Sequence, residues 1–307
     1  MSTITRTTVA PSPVSTEVQP APEPGWCGRK QRGRVHWLPL IVITSFHIGA
    51  LFVFVPALFT WKALITAVVL QFVAGMGVTI GYHRLLTHRS FKTFKPIEYF
   101  LSWCGSLSLE GGPILWVATH RLHHQHSDEA EDPHSPKHGF FWSHVLWTFT
   151  YDPEFDPLEK HGRYAKDLLS DRGHVLIERF TPLSQIIVAV LLFFWGGWPC
   201  VVWAGFLRLV YVYHITWLVN SASHTWGYQS YETGDESRNL WWVAFFGFGE
   251  GWHNNHHAFP NSARHGLKPW ELDLSWMTIS TMKMLGLVWD TRVPDEKTLA
   301  SSAITHD

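Results

Sequence analysis

Between residues 37 and 59 the chain carries no Asp, Glu, Lys or Arg, and an apolar run of that length crosses a bilayer as a helix. A helix without a polar face must be enclosed by protein or by lipid, so this run restricts the fold before any motif is considered. The basic flank ahead of it, Arg29, Lys30, Arg32 and Arg34, places the N-terminus on the cytoplasmic side by the positive-inside rule. A turn at Lys62 leads into a second apolar run, 63–82, whose glycines at 75, 77 and 81 permit close helix packing. Further on, 183–195 is short for a span by itself and turns at GGWP into 201–220, which carries Arg208 and His214. Two hairpins, and therefore four spans, return both ends of the chain to the cytoplasm.

The fold expected is all-α and integral to a membrane, with a cytoplasmic helical cap formed by the polar stretch 83–180 and the segment after the last span. Within the cap, 97–118 is apolar but broken at Glu110, Gly111, Gly112 and Pro113, which predicts a buried or interfacial helix followed by an interruption. Residues 1–36 read as a disordered Ser/Thr/Pro-rich tail with its basic flank and no cleaved signal peptide, 37–293 as one membrane domain, and 294–307 as a polar tail. The 18 Trp and 20 Phe suit a surface shared with lipid, whereas 24 basic against 25 acidic residues provide no field for holding nucleic acid. Cys27, Cys104 and Cys200 form no CxxC pair, so neither thiolate metal sites nor a disulfide framework is indicated.

Against this apolar background the histidines gather in three words: HRLLTH at 83–88, HRLHH at 120–124 and HNNHH at 253–257. On a helix His123 and His124 follow His120 by three and four residues, so the three rings share a face and can converge on a metal pair; His253, His256 and His257 repeat the spacing. His83 and His88 are five apart, which a regular α-helix does not keep on one face, so the helix is expected to end or distort near His83. In NSASH, Asn220 and His224 are four apart and approach from the membrane side; Asn220 suits holding a water or hydroxide better than firm ligation. His83, His88, His120, His123, His124, His224, His253, His256 and His257 are more ligands than one first-row ion accepts, so two ions are the economical reading. All-imidazole donors fit iron, copper, zinc or nickel and not magnesium or calcium. His126, His134 and His138 lie outside the helical spacing, with DPH at 132–134 left as a candidate to cap or orient the ligands, and the isolated His36, His47, His144, His161, His174, His214, His265 and His306 fit ordinary hydrogen-bonded core or surface residues.

These three words, together with EDPHSPKHGFFWSHVLW, TWLVNSASH and FGEGWHNNHHAFPNSARHGL, resemble the histidine boxes of the integral-membrane fatty acid desaturases, in particular the Δ9 acyl-lipid branch of cyanobacteria, from about Trp37 to Val293. The resemblance implies that the nine histidines bind two iron ions, that Asn220 supports a metal-bound water, and that O2 drives formation of a cis double bond in a saturated acyl chain. Such chemistry requires an apolar passage for the chain, with Trp116 and Trp217 as candidate walls. No fused haem domain is evident, so a separate donor is implied, a ferredoxin or a free cytochrome b5, docking on basic residues of 83–180. The acyl carrier, whether glycerolipid, CoA or carrier protein, is left open. A histidine-box hydroxylase is the rival within the oxidative class. A polytopic metal transporter is the rival outside it, but would place its ligands midway along the spans.

Overall fold

The computed structural model describes residues 34–151 and 162–304, and the expectations for the N-terminal tail, including Arg29, Lys30 and Arg32, and for His161 and His306 fall outside them. Among the described residues, three helical runs are long and apolar enough to cross a membrane: Trp37–Phe54, Trp61–Thr87 and Arg172–His224. In α1 (Trp37–Ala50) only Gly49 and Ala50 are buried, while Trp37, Leu38, Ile41 and Ile48 are exposed, a surface that suits lipid. Pro39 falls in its first turn, where no N–H partner is lost.

The helix α2 (Trp61–Met76) opens on Thr60, whose hydroxyl accepts from Ala63 N at 3.0 Å. Its first turns expose Ile65, Val68 and Val69, but from Ala74 onward the run is enclosed. Gly77–Thr87 continues it as a π-helix. The distortion expected at box one is thus present, yet the helix continues through His83 to Thr87. Its wider turn bonds His88 N to His83 O at 3.1 Å and sets the two rings edge to face with centroids 4.9 Å apart. Five-residue spacing becomes a one-face spacing in this form.

Next come α3 (Lys95–Ser106) and α4 (Pro113–Gln125), separated by the expected break, with Pro113 at the first position of α4. Here α3 packs on the π-segment so closely that a Cβ at Gly77 would lie 2.1 Å from Gly105 N. The short α5 (Phe140–His144) and α6 (Lys166–Leu169) lead to α7 (Arg172–Cys200), which begins well before residue 183, capped by Asp171 and carrying Pro182 inside. At Gly196 and Gly197 the dihedrals leave the helical region, Gly197 with φ +65°, a value glycine adopts without strain. The chain reverses there: Leu192 Cδ1 lies 3.9 Å from where a Cβ on Gly205 would sit, and Leu192, Cys200, Val201 and Ala204 pack on Ala63 and Ala67 of α2.

Beyond this turn, α8 (Arg208–Ser221) runs on into a short 3-10 turn ending at His224. The remaining helices that bear on the site are α9 (Trp241–Phe246), α10 (His253–Ala258) and α11 (Leu274–Met284). Two short antiparallel pairs tie distant segments: Arg34–Val35 with Thr150–Tyr151, and Lys92–Thr93 with Val288–Trp289.

Candidate metal centre

The π-segment, α4, the end of α8 and α10 bring the eight box histidines and His224 together, but as two groups. His83, His88, His120, His124 and His256 form one, and His123, His224, His253 and His257 the other; in each the available nitrogens lie within 4.8 Å of one another. The shared face of α4 therefore divides. His120 and His124, one turn apart, meet His256, whereas His123, rotated by about 100° from His124 along the helix, meets His253 and His257. The two groups abut through His124 and His257, ring centroids 4.6 Å apart.

Four carboxylates, Asp128 and Asp132 buried and Asp235 and Glu250 half-buried, set the tautomers. His83 Nδ1 lies 2.5 Å from Glu250, His123 Nδ1 3.0 Å from Asp132, His224 Nδ1 3.3 Å from Asp128 and His257 Nδ1 2.6 Å from Asp235. An ionised carboxylate only accepts, so the proton sits on Nδ1 and the lone pair on Nε2. Those lone pairs converge: His83 Nε2 is 3.0 Å from His256 Nε2, which is also 2.9 Å from His124 Nε2, and His224 Nε2 is 3.0 Å from His253 Nε2. His256 Nε2 carries at most one proton and cannot bond both neighbours. Nε2 of His88, His123 and His257 is buried without any protein partner. Two imidazoles on one ion at metal–nitrogen distances of 2.0–2.1 Å would sit roughly 2.9–3.4 Å apart, so the donor set fits transition-metal ions.

The electrostatics agree with ligation. Burial, reinforced by neighbouring imidazoles, holds His88, His120, His124, His253 and His256 well below the ordinary histidine range, and His257 falls to about 4, which leaves these rings neutral. His123 is the exception: burial pulls it down, but Asp132 more than offsets this and raises it. Burial alone would raise Asp132 and Asp235, yet the imidazoles opposite hold both far below the usual carboxylate range.

Arg84, fully buried one residue after His83, ties the first box to what surrounds the third. Its guanidinium donates to Glu250 Oε1 at 2.5 Å, to both oxygens of Asp273, and to the carbonyls of Thr79 and Ala263. Arg121 is likewise engaged, by Asp167 and the carbonyls of Leu86, Thr87 and Tyr164. Neither is available to dock a partner; of the described basic residues in 83–180, Lys137, Arg163, Lys166, Arg172 and Arg179 are exposed, as are Arg89, Lys92 and Lys95, which pair with Asp167, with Asp290, and with Glu98 and Asp171.

Trp116 stacks on His120 with centroids 4.9 Å apart, and its Nε1 donates to Glu110 Oε2 at 3.2 Å. Glu110 Oε1 accepts from Thr216 at 2.7 Å, so this carboxyl joins α4 to α8, and enclosure pushes it up to about 7 although both hydrogen bonds pull it down. Trp217 is buried and stacks on Tyr213, 5.3 Å between centroids, with the rings of His144 and His214 against its edge. Asn220 is half-buried in the last turn of α8, one turn before His224.

His126 stays outside both groups and pairs with Glu129 at 3.2 Å. His174 is the hydrogen-bonded core residue expected, held by Glu98 and Ser102. His265 is not: it is 1% exposed, its ring lies 4.5 Å from that of His256, and neither of its nitrogens has a hydrogen-bond partner. The residues missed from the sequence are chiefly carboxylates. Asp132 is the exception, since it belongs to the DPH word considered for orienting the ligands; Glu250 precedes His253 by three, and Asp128 and Asp235 lie in loops whose approach no periodicity reveals.

A family model described as fatty acid desaturase matches residues 59–276. Over 265 residues, 86% of this chain and 96% of the relative, the sequence is 48% identical to an sn-1 stearoyl-lipid 9-desaturase from Anabaena variabilis. It is 44% identical over 256 residues, 83% of the chain and 89% of the relative, to an sn-2 palmitoyl-lipid 9-desaturase from Nostoc sp.. It is also 44% identical over 260 residues, 84% and 79%, to an acyl-CoA 5-desaturase from Anemone leveillei.

Proposed function

Because the chain belongs to the fatty acid desaturase family, an oxidoreductase family that introduces double bonds into acyl chains, we propose that its nine histidines hold two iron ions and that it forms a cis Δ9 double bond in a saturated chain of a membrane glycerolipid. The observation that carries this reading is the convergence of nine imidazoles into two abutting groups whose lone pairs face one another. When bound, two irons supply the oxygen-activating chemistry that removes hydrogen from adjacent methylenes, with O2 and two electrons consumed and water released.

The chain's own residues prepare that chemistry. Glu250, Asp132, Asp128 and Asp235 hold the Nδ1 protons, which fixes ring orientation and directs each Nε2 lone pair inward. Trp116, stacked on His120 and tethered by Glu110, and Trp217 would wall the passage for the acyl chain, and Asn220 would hold a water near His224. A glycerolipid carrier is favoured by the names of the lipid desaturases; the acyl-CoA relative makes the thioester the alternative.

The topology proposed has four spans, with both termini and the histidine centre in the cytoplasm and 37–293 as the catalytic domain. The reversal at Gly196–Gly197 supports two crossings within Arg172–His224, and the exposed apolar faces of α1 and α2 support lipid contact. Electrons are proposed to come from a separate acidic carrier, a ferredoxin or a cytochrome b5, docking near the exposed Lys137, Arg163, Lys166, Arg172 and Arg179.

Expression in a strain without unsaturated lipids, followed by fatty acid and positional lipid profiling, tests the reading. Δ9 monoenes on glycerolipid, lost in His120→Ala, are the expected result. Hydroxylated chains would instead establish the hydroxylase alternative, and unchanged desaturation in His120→Ala would overturn the site.

A further inference from the structure

A cavity of about 430 Å³ opens beside the centre, lined by three of its histidines, His88, His124 and His257, by Gln125 at the end of α4, and by residues of the loops at 127–129, 233–235 and 260–261. We propose that this cavity is the port through which ferrous iron enters to load the centre, an inference that rests on the two-iron reading above.

Three observations carry it. First, the lining holds buried polar atoms that no protein group satisfies: Nε2 of His88, Nε2 of His257 and Oγ of Ser127. Such atoms call for water or an ion. Second, the charge at the cavity is negative. Asp235 and Glu129 contribute carboxylates to the lining, and Glu131 and Glu232 are exposed on the same two loops. Arg121 also lines the cavity, with its guanidinium turned to Asp167 at 2.8 Å, a carboxylate it shares with Arg89, so the acidic side chains at the mouth still outnumber the basic ones. Third, the donors change character with depth, from carboxylate, amide and hydroxyl oxygens of the loops to the imidazoles of the centre.

A ferrous ion arrives with about six waters, roughly 180 Å³ at ~30 Å³ each, which the cavity accommodates. Oxygen ligands at the mouth can replace some of these waters without demanding complete dehydration, and the imidazoles beneath replace the rest. No electron moves in this sequence; only water is exchanged and released. On the flank of the five-histidine group away from this cavity, among the described residues, Trp116 covers His120 and the Arg84 guanidinium stands beside His83 and Glu250, which disfavours a cation there. An acyl chain is a poor occupant for a lining this polar.

The test uses full-length protein in lipid nanodiscs, stripped by chelator and reloaded anaerobically with Fe²⁺ while bound iron is followed over time. Gln125, exposed at the end of α4, is replaced as Gln125→Cys in a Cys27→Ser background and labelled after folding with a bulky thiol reagent; Cys104 and Cys200 are buried. Labelling should slow iron uptake at least tenfold while the final iron content is unchanged. Glu129→Gln should slow it a few-fold and flatten its dependence on salt. Loading of the labelled protein at the unlabelled rate overturns the port. So does a collapse of turnover when protein already loaded is labelled and keeps its iron, which would make the cavity a route for O2 or electrons. If the unmodified protein binds no stoichiometric iron by any rate, it is the two-iron reading that fails.

Discussion

Asp132→Asn separates the two histidine groups by experiment. The carboxylate is fully buried, and all three donors that reach it need acceptors: Oδ2 takes His123 Nδ1–H and the Asp128 N–H, both at 3.0 Å, and Oδ1 takes the His134 N–H at 3.0 Å. An amide of the same shape has one acceptor oxygen, so whichever way it turns its NH2 faces a donor. At least one buried N–H then loses its partner, at about 1–3 kcal/mol. Loss of the charge-assisted bond to His123 also frees that ring to rotate, and removal of such a supporting partner lowers metal affinity by about 10–100-fold, or about 1.4–2.7 kcal/mol. Because His123 belongs to the four-histidine group alone, the loss should fall on one ion. Metal content measured along a chelator titration should show one of two ions released at 10–100-fold lower chelator, with the other unmoved. Glu250→Gln, which disturbs His83 in the five-histidine group, should release the other ion first. Equal weakening of both ions in Asp132→Asn, or no weakening, would refute the partition.

Other perturbations follow from the same contacts. Arg84→Met leaves the carboxylates of Glu250 and Asp273 buried without their cation, so the variant should lose about 3–5 kcal/mol or fail to accumulate, as thermal unfolding in detergent would show. Gly77→Ala drives a methyl into the backbone of Cys104 and Gly105, so α3 must move off the π-segment; a lowered melting temperature together with weakened iron retention is expected, and a neutral result would contradict the packing. Glu110 binds protons more tightly folded than unfolded, since its carboxyl is raised to about 7 from an ordinary value near 4.5, so its contribution to stability is complete below about 4.5 and declines as pH rises towards 7. Glu110→Gln should flatten the dependence of the melting temperature on pH across that interval. His257, lowered to about 4, works in the opposite sense: the metal-free protein should lose stability as pH falls from about 6.5 towards 4, with iron suppressing the loss.

The apolar runs and the histidine words were legible in the sequence because both are local signals. A charge-free run declares a membrane segment by its own transfer energy, and spacings of three and four residues declare one helix face by geometry alone. The same local logic anticipated the distortion at His83–His88 and the break at Glu110–Pro113, but not the π-form that turns a five-residue spacing into a shared face; that form is maintained by α3 against Gly77 and Gly81. The onset of the helix at Arg172 was hidden too, since its first turns carry charge and are capped by Asp171.

What the sequence by itself determined is therefore which side chains are available to the centre and which segments hold it in the bilayer. How they are divided was decided by the tertiary structure. Neighbouring residues on α4, His123 and His124, differ by about 100° about the helix axis, but which rings each one meets depends on where α10 and the end of α8 lie against that helix. The carboxylates that orient the rings come from loops at Asp128, Asp132, Asp235 and Glu250, and His265, with Nδ1 3.8 Å from Glu250, reaches His256 from outside any box. Spacing along a chain records angles about one helix axis; contact between segments is settled only when their buried surfaces have been packed against one another.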